Sequence, residues 1–214
     1  MATKPIKPFA VKGINVTTPK GTALWCKIAE PDRKYTPTGE LSMSLVCDPG
    51  DPTVVAFISK LEEIRDIALA ETKATLGAKG GAYTTKEVFA EDYDKEGEPT
   101  GKIIFKMKLK DIDGRKERGK QHSITVVDAK RHIVDPIPLV GNGSEVKCVV
   151  FANPYAMASS KSVGISMIWD KMQIIELIAF GGGAAGGFDD EVGFETPSEP
   201  SGTHTIDDDD DTDF

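Results

Sequence analysis

Short apolar runs alternating with period two, one helix-length segment among them, and no strand–helix–strand rhythm predict a mainly β fold. The architecture that fits is a five-stranded antiparallel barrel of the OB type, with one long inserted helix and a disordered acidic C-terminal tail. Charge sets the tail apart. The 214 residues carry 26 Lys and Arg against 34 Asp and Glu, a formal net charge of −8. Residues 184–214 hold 11 of the acids and no Lys or Arg; 34 less 11 leaves 23 acids against 26 bases in residues 1–183. A body near +3 therefore precedes a tail of −11. About 180 residues suffice for one well-buried domain and hardly two. The expected organisation is one domain over 1–183, then a flexible Gly-rich linker and acidic tail over 184–214.

Residues 1–20, rich in Lys, Pro and Thr, read as an extended N-terminal arm. From Thr22 to Ile28 the chain alternates, with Thr22, Leu24, Cys26 and Ile28 on one face and Ala23, Trp25 and Lys27 on the other, which predicts a half-buried strand. Residues 30–39 form a turn-rich loop that holds Arg33, Lys34 and Tyr35. Leu41, Met43 and Leu45 alternate with Ser42 and Ser44 in a second strand, closed by Asp48-Pro49-Gly50. Asp51-Pro52 reads as an N-cap with proline in the first turn. The helix it opens packs Val54, Val55, Ile58, Leu61, Ile64, Ala68 and Leu69, keeps Glu62, Glu63, Arg65 and Asp66 in water, and ends near Gly77.

Residues 77–101 carry weak signals and read as a long connection. Ile103 to Lys110 is the clearest strand, with Phe105, Met107 and Leu109 inside and Lys106, Lys108 and Lys110 outside. Ser123 to Val127 and Val146 to Phe151 are further strands; between them lie a turn at 128–132 and a loop with Pro136, Pro138 and Gly141-Asn142-Gly143. Asn153-Pro154-Tyr155 reads as a turn, and Ser162 to Ile168 leads into an apolar ribbon, Met172 to Phe180. The glycine-rich run 181–187 is followed by Phe188-Asp189-Asp190 rather than a helix, so it reads as a linker and not a phosphate cradle.

Cys26, Cys47 and Cys148 are odd in number, widely spaced, and each set in an apolar run, which favours reduced, buried thiols over a disulfide or zinc site. His122, His132 and His204 lack metal-ligand spacing, and no nucleophile–base or paired-carboxylate pattern stands out. The expectation is a non-enzyme that needs no metal or cofactor. No apolar run reaches spanning length and Met1 to Pro5 opens no secretory signal, which points to a cytoplasmic protein.

A polyanion is the partner these residues suggest. Lys106, Lys108 and Lys110 form a row of charge at about 6–7 Å spacing, close to the phosphate repeat of an extended single strand; a solvated or protected strand edge is the plain alternative. Arg115, Lys116 and Arg118 add cations in the following loop, and Lys27, Arg33 and Lys34 extend the candidate track. Trp25 and Tyr35 lie among these cations as candidate stacking platforms, as single-strand binding without sequence preference requires; covering a barrel end is the other use for Trp25. In the tail, Asp207, Asp208, Asp209, Asp210, Asp211 and Asp213 repel one another, stay in solvent, and look for a cationic partner, with Phe214 as a terminal hydrophobic anchor.

Several segments come in a familiar order: Ala29-Glu30-Pro31-Asp32, Ile124-Thr125-Val126-Val127-Asp128-Ala129-Lys130, Val140-Gly141-Asn142-Gly143-Ser144, Asn153-Pro154-Tyr155, and Glu176 through Gly183. With the tail ending Asp213-Phe214, the chain resembles the single-stranded DNA-binding protein of podophage replication systems. The resemblance implies an OB-fold body that coats single-stranded DNA and assists annealing. It also implies a tail that contacts the phage DNA polymerase and helicase-primase, a homodimer involving that tail, and a place in the infected host's cytoplasm. Carried over by position, Tyr155 is a DNA-contacting aromatic and Phe214 the terminal aromatic. The family pattern puts a basic residue and a tryptophan after that tyrosine; here Ala156-Met157 stand there, which shifts stacking toward Trp25 and Tyr35.

The charge division suggests a mechanism in which the tail covers the DNA groove until a strand displaces it. As a coil, 31 residues span roughly 30 Å, against a radius of gyration near ~16 Å for the body, so the tail reaches the groove at an effective concentration approaching millimolar. The competing reading is an acidic-tailed interaction module, a chaperone or DNA mimic with no nucleic-acid groove. An RNA-binding OB domain is a third.

Overall fold

In chain order the elements are β1 (Ile14–Thr17), β2 (Gly21–Asp32), β3 (Glu40–Cys47), α1 (Pro52–Leu76), a 3-10 helix (Gly77–Ala82), β4 (Thr84–Thr85), β5 (Ala90–Tyr93), β6 (Pro99–Lys110), β7 (Thr125–Val127), β8 (Glu145–Met157) and β9 (Ser162–Glu176). They belong to a computed structural model that describes residues 8–34, 36–110 and 123–179.

Five strands close on themselves. β2 pairs with β3, β3 with β6, β6 with β9, β9 with β8, and β8 with β2. Every pairing in this ring is antiparallel except β6 with β9, which is parallel over Met107↔Met167 and Lys108↔Ile168. That order is the OB-fold barrel, and its closure leaves these strands little free edge to protect. Alternation then fills the interior: Leu45, Phe105, Met107, Val146, Val150, Trp169 and Met172 are each less than 2 % exposed.

The helix starts where its cap dictates. The Asp51 carboxylate accepts from the Thr53 backbone N–H and the Thr53 hydroxyl, both at 2.7 Å, and those bonds hold its pKa below the usual carboxylate range. Helix α1 runs 25 residues and stops at Gly77, whose φ of 54° suits glycine. Val54, Phe57, Leu61 and Ile64 join the barrel core, and Phe57 meets Phe105 edge to face at 5.1 Å.

Several expectations need correction. Within the arm, β1 pairs with β8 from Ile14↔Ala152 to Thr17↔Val149, because β-branched Ile14 and Val16 suit a strand beside that edge. In α1, Val55 is exposed and Phe57 packs instead, while Arg65 is buried. Its guanidinium reaches Glu62 at 3.3 Å, Asp66 at 2.9 Å and the Lys86 carbonyl at 3.3 Å, so the charge is satisfied while the stem packs. The connection 77–101 contains the 3-10 helix, β4, β5 and the start of β6.

Asn153-Pro154-Tyr155 is strand rather than turn, in register with Ser166, Ile165 and Gly164. Proline stays in a ladder only where its nitrogen faces an unpaired edge. The β1 ladder ends at Ala152, so β1 asks no hydrogen bond of Pro154, which is itself buried.

Candidate nucleic-acid interface

Strand β6 presents its lysines as period two requires. Lys106, Lys108 and Lys110 are exposed, while Phe105 and Met107 face the core. Register carries this row across the neighbouring strands. Lys108 lies opposite Ser42 of β3, and Ser42 lies opposite Lys27 of β2, so two exposed lysines flank a small hydroxyl on one face. Cross-strand neighbours sit about 5 Å apart, which puts Lys27 and Lys108 roughly 10 Å from each other. Lys106 faces Ser44, and Lys110 faces Glu40. The Lys108 ammonium lies 3.4 Å from the Glu40 carboxylate and remains 61 % exposed, so the pair is loose and open to competition from phosphate.

Beside this row, β2 changes phase. Ala23 pairs with Leu45 and is fully buried, whereas Leu24 pairs with Ser44 on the outer side, the reverse of the simple alternation. Between Leu24 and Lys27 the strand carries one residue more than β3, and this bulge turns Cys26 and Ile28 back toward the core. At the bulge, Trp25 adopts φ 50°, a left-handed conformation costly for a side chain of this kind. Its backbone N–H donates to the Asn142 side-chain oxygen at 2.7 Å. The indole is left 63 % exposed.

A second irregularity sets Lys27 to Asp32 against only Ser42 to Glu40, and the slack in β2 walls a cleft of about 550 Å³. Trp25, Lys27, Arg33, Leu139 and Asn142 line it, with Glu30 and Asp32 at the loop end. An exposed indole, an exposed leucine and two cations in one cleft are what a stacked base and its phosphate require.

Asn142 is the site residue that sequence reasoning missed. Its turn is fixed from behind: the Gly141 N–H donates to the Ile178 carbonyl at 2.7 Å, and the Ser144 hydroxyl accepts from the Ile178 N–H at 3.0 Å. A Cβ at Gly141 would lie 2.7 Å from the Ile178 carbonyl oxygen, so only glycine allows that approach. The Gly141-Asn142-Gly143 signal was visible as a turn, but nothing local says that its amide reaches a strand over a hundred residues earlier.

A family profile described as single-stranded DNA-binding protein, bacteriophage T7, matches residues 20–177. The chain belongs to this family. Among curated relatives, the single-stranded DNA-binding protein of Enterobacteria phage T3 is 24% identical over 162 residues, 73% of this chain and 70% of that protein. The one from Escherichia phage T7 is 24% identical over 180 residues, 78% of each. The crystal structure of gp2.5, a single-stranded DNA-binding protein encoded by bacteriophage T7, superposes with a TM-score of 0.64 at 23% identity, covering 86% of this chain and 100% of that one. At that identity the likeness bears on the fold, and it agrees with the OB barrel traced above.

In this member of the phage single-stranded DNA-binding family, Arg33 and Lys34 follow β2; Arg33 lines the cleft and also reaches the Pro37 carbonyl at 3.4 Å. Tyr155 lies elsewhere. It stands on the outer face of β8 with its ring across Gly164, where a Cβ would meet the phenol at 2.7 Å. It sits near the C-terminal end of β8 and does not line the Trp25 cleft. The structure therefore groups Trp25, Lys27 and Arg33 with the β6 row, and sets Tyr155 apart. Tyr35, Arg115, Lys116, Arg118 and the tail residues Asp207 to Asp211, Asp213 and Phe214 lie outside the described residues.

The three thiols are packing groups. Burial pushes Cys26 and Cys47 up to about 12, with the Asp51 charge adding to the second, and burial raises Cys148 as well. Cys26 lines the cleft, yet its sulfur belongs to the core side of β2.

Proposed function

We propose that this chain coats single-stranded DNA during phage DNA replication and recombination, without sequence preference and without catalysing a reaction. The observation that carries this reading is the exposed Lys27–Ser42–Lys108 line running beside the Trp25 cleft on the outer face of β2, β3 and β6. Phosphates would follow the lysines, while a base stacks on Trp25, a contact worth about 1–3 kcal/mol. Arg33 and Lys34 at the end of β2 extend the track, and Arg115, Lys116 and Arg118, which follow β6 in sequence, add to it. Tyr155 takes a base further along β8.

In the same reading the acidic tail competes with DNA for this groove. Once displaced, Asp207 to Asp211 and Asp213 engage basic sites on the phage DNA polymerase and helicase-primase, with Phe214 as anchor and a homodimer as the working unit in the infected cell's cytoplasm. The division of charge, 11 acids without one Lys or Arg in residues 184–214, supports it.

The experiment is a tryptophan-fluorescence titration with oligo-dT at two salt concentrations, on the intact chain and on one lacking residues 189–214. Strong quenching of Trp25, binding that weakens with salt, and tighter binding without the tail are expected; Trp169, 1 % exposed, should contribute little. A body that ignores oligonucleotides at low salt would overturn the reading in favour of an acidic protein-interaction module.

A further inference from the structure

On the outer surface of β8 and β9, away from the Trp25 cleft, lies a groove of about 190 Å³ that no part of the interface above uses. Thr17, Thr125, Arg131, Lys147, Lys171 and Gln173 are among the residues that line it. Strand register explains how they meet. Val149 of β8 is flanked by Thr17 of β1 and Lys171 of β9, Lys171 pairs onward with Thr125 of β7, and Lys147 pairs with Gln173. Lys147 and Lys171 are thus diagonal neighbours, about 7–8 Å apart.

Arg131 arrives from the turn after β7, and that turn is pinned. The Asp128 carboxylate accepts from the backbone N–H groups of Lys130 and His132 at 2.8 and 2.9 Å. The Gln173 amide donates to the carbonyls of Asp128 and Ala129 at 3.3 and 3.1 Å. Arg131 is thereby held at φ 72°, a region that side-chain-bearing residues rarely occupy.

Neither Arg131, Lys147 nor Lys171 has an ion-pair or side-chain hydrogen-bond partner among the described residues. Of the four acids on β8, β9 and the turn after β7, two are engaged elsewhere and Glu176 lies at the far end of β9, opposite Glu145. Glu145 is held by Lys20 at 2.8 Å, and Asp128 by its own turn and by His132 at 3.0 Å; Asp170 occupies the bulge beside Lys171. Like charges gathered on one sheet face destabilise it unless an anion offsets them. Three cations beside the hydroxyls of Thr17 and Thr125 form a surface rich in donors for phosphate oxygens, while the Gln173 amide is spent on holding the turn.

We propose that this groove is a second phosphodiester-binding site, where a single strand leaving the β3–β6 face crosses β9 and continues over β8. Register supplies the path: Lys108 lies opposite Ile168, Ile168 opposite Phe151, and Val149 and Lys171 occupy the adjacent outward positions. The site rests on the reading of this chain as a single-strand-coating protein.

The test uses the full chain with Arg131→Asn, Lys147→Gln and Lys171→Gln combined, asparagine being chosen because it tolerates the left-handed backbone. Anisotropy titrations with oligo-dT of about twenty and about five nucleotides bracket the span of one OB domain. The salt slope for the long strand should fall by about 2, at roughly 0.7 per phosphate, while the short strand, held by the β3–β6 face, changes little. Lys171→Arg should restore the slope lost in Lys171→Gln, which guards against a folding defect in the triple variant. An unchanged long-strand slope, with Lys106→Gln still flattening it, would overturn the second site and leave the coating function standing. If the parent chain itself binds neither oligonucleotide at low salt, the coating reading falls and this site with it.

Discussion

Replacing Lys106 with glutamine tests the lysine row most directly. Lys106 is exposed, faces the small side chain of Ser44 across the strand, and has no carboxylate partner among the described residues, so its full charge is available to a phosphate. Lys106→Gln keeps the stem and removes that charge. Losing one phosphate contact lowers the log–log salt slope by about 0.7. Over a fourfold rise in salt, from about 50 to about 200 mM, the variant's disadvantage should shrink by about 2.6-fold. Lys108→Gln should move the slope less, because Glu40 already shares that ammonium at 3.4 Å, and Glu40→Gln should tighten binding by freeing it. Anisotropy of labelled oligo-dT across a salt series reads all three, with circular dichroism to check folding. A slope for Lys106→Gln equal to that of the parent would refute the placement of the strand on β6.

Other perturbations separate the stacking platform, the core and the thiols. Trp25→Ala should weaken oligo-dT binding by about 5- to 150-fold, the equivalent of one lost stack. Asn142→Ala should give part of that loss and add nothing in the Trp25→Ala background, whereas additive losses in a double-mutant cycle would mean that Asn142 does not act through Trp25. Leu61→Ala, at a position 0 % exposed in the core shared by α1 and the barrel, should cost about 2–5 kcal/mol in denaturant unfolding; a loss below 1 kcal/mol would contradict that packing. Cys26 and Cys47, raised from 9.0 to about 12, should react with iodoacetamide at pH 8 roughly a thousandfold more slowly than free thiols. Because the folded values lie above the unfolded ones, their contribution to stability is intact below pH 9 and is lost as pH rises toward 12; replacing both with alanine should flatten that alkaline decline in Tm.

Features carried by consecutive residues were legible before the fold. Period two placed Phe105 and Met107 inside and the β6 lysines outside, and Asp51-Pro52 and Gly77 marked the ends of α1. Each depends on the chemistry of a few adjacent side chains, which no distant partner can reverse. Trp25 shows where this stops. Alternation put it on the right face, but only the folded chain reveals the bulge against β3 that inverts Ala23 and Leu24 and the Asn142 side-chain oxygen that accepts from the Trp25 backbone N–H. Arg65 looked solvated until a packed strand connection supplied its carbonyl. Lys147, Lys171 and Arg131 are far apart in sequence, and they meet only because β8, β9 and the turn after β7 share one register. Periodicity and capping are local and are written in the chain itself; bulges, unpaired charges and shared grooves depend on which strands become neighbours, and only the closed barrel decides that.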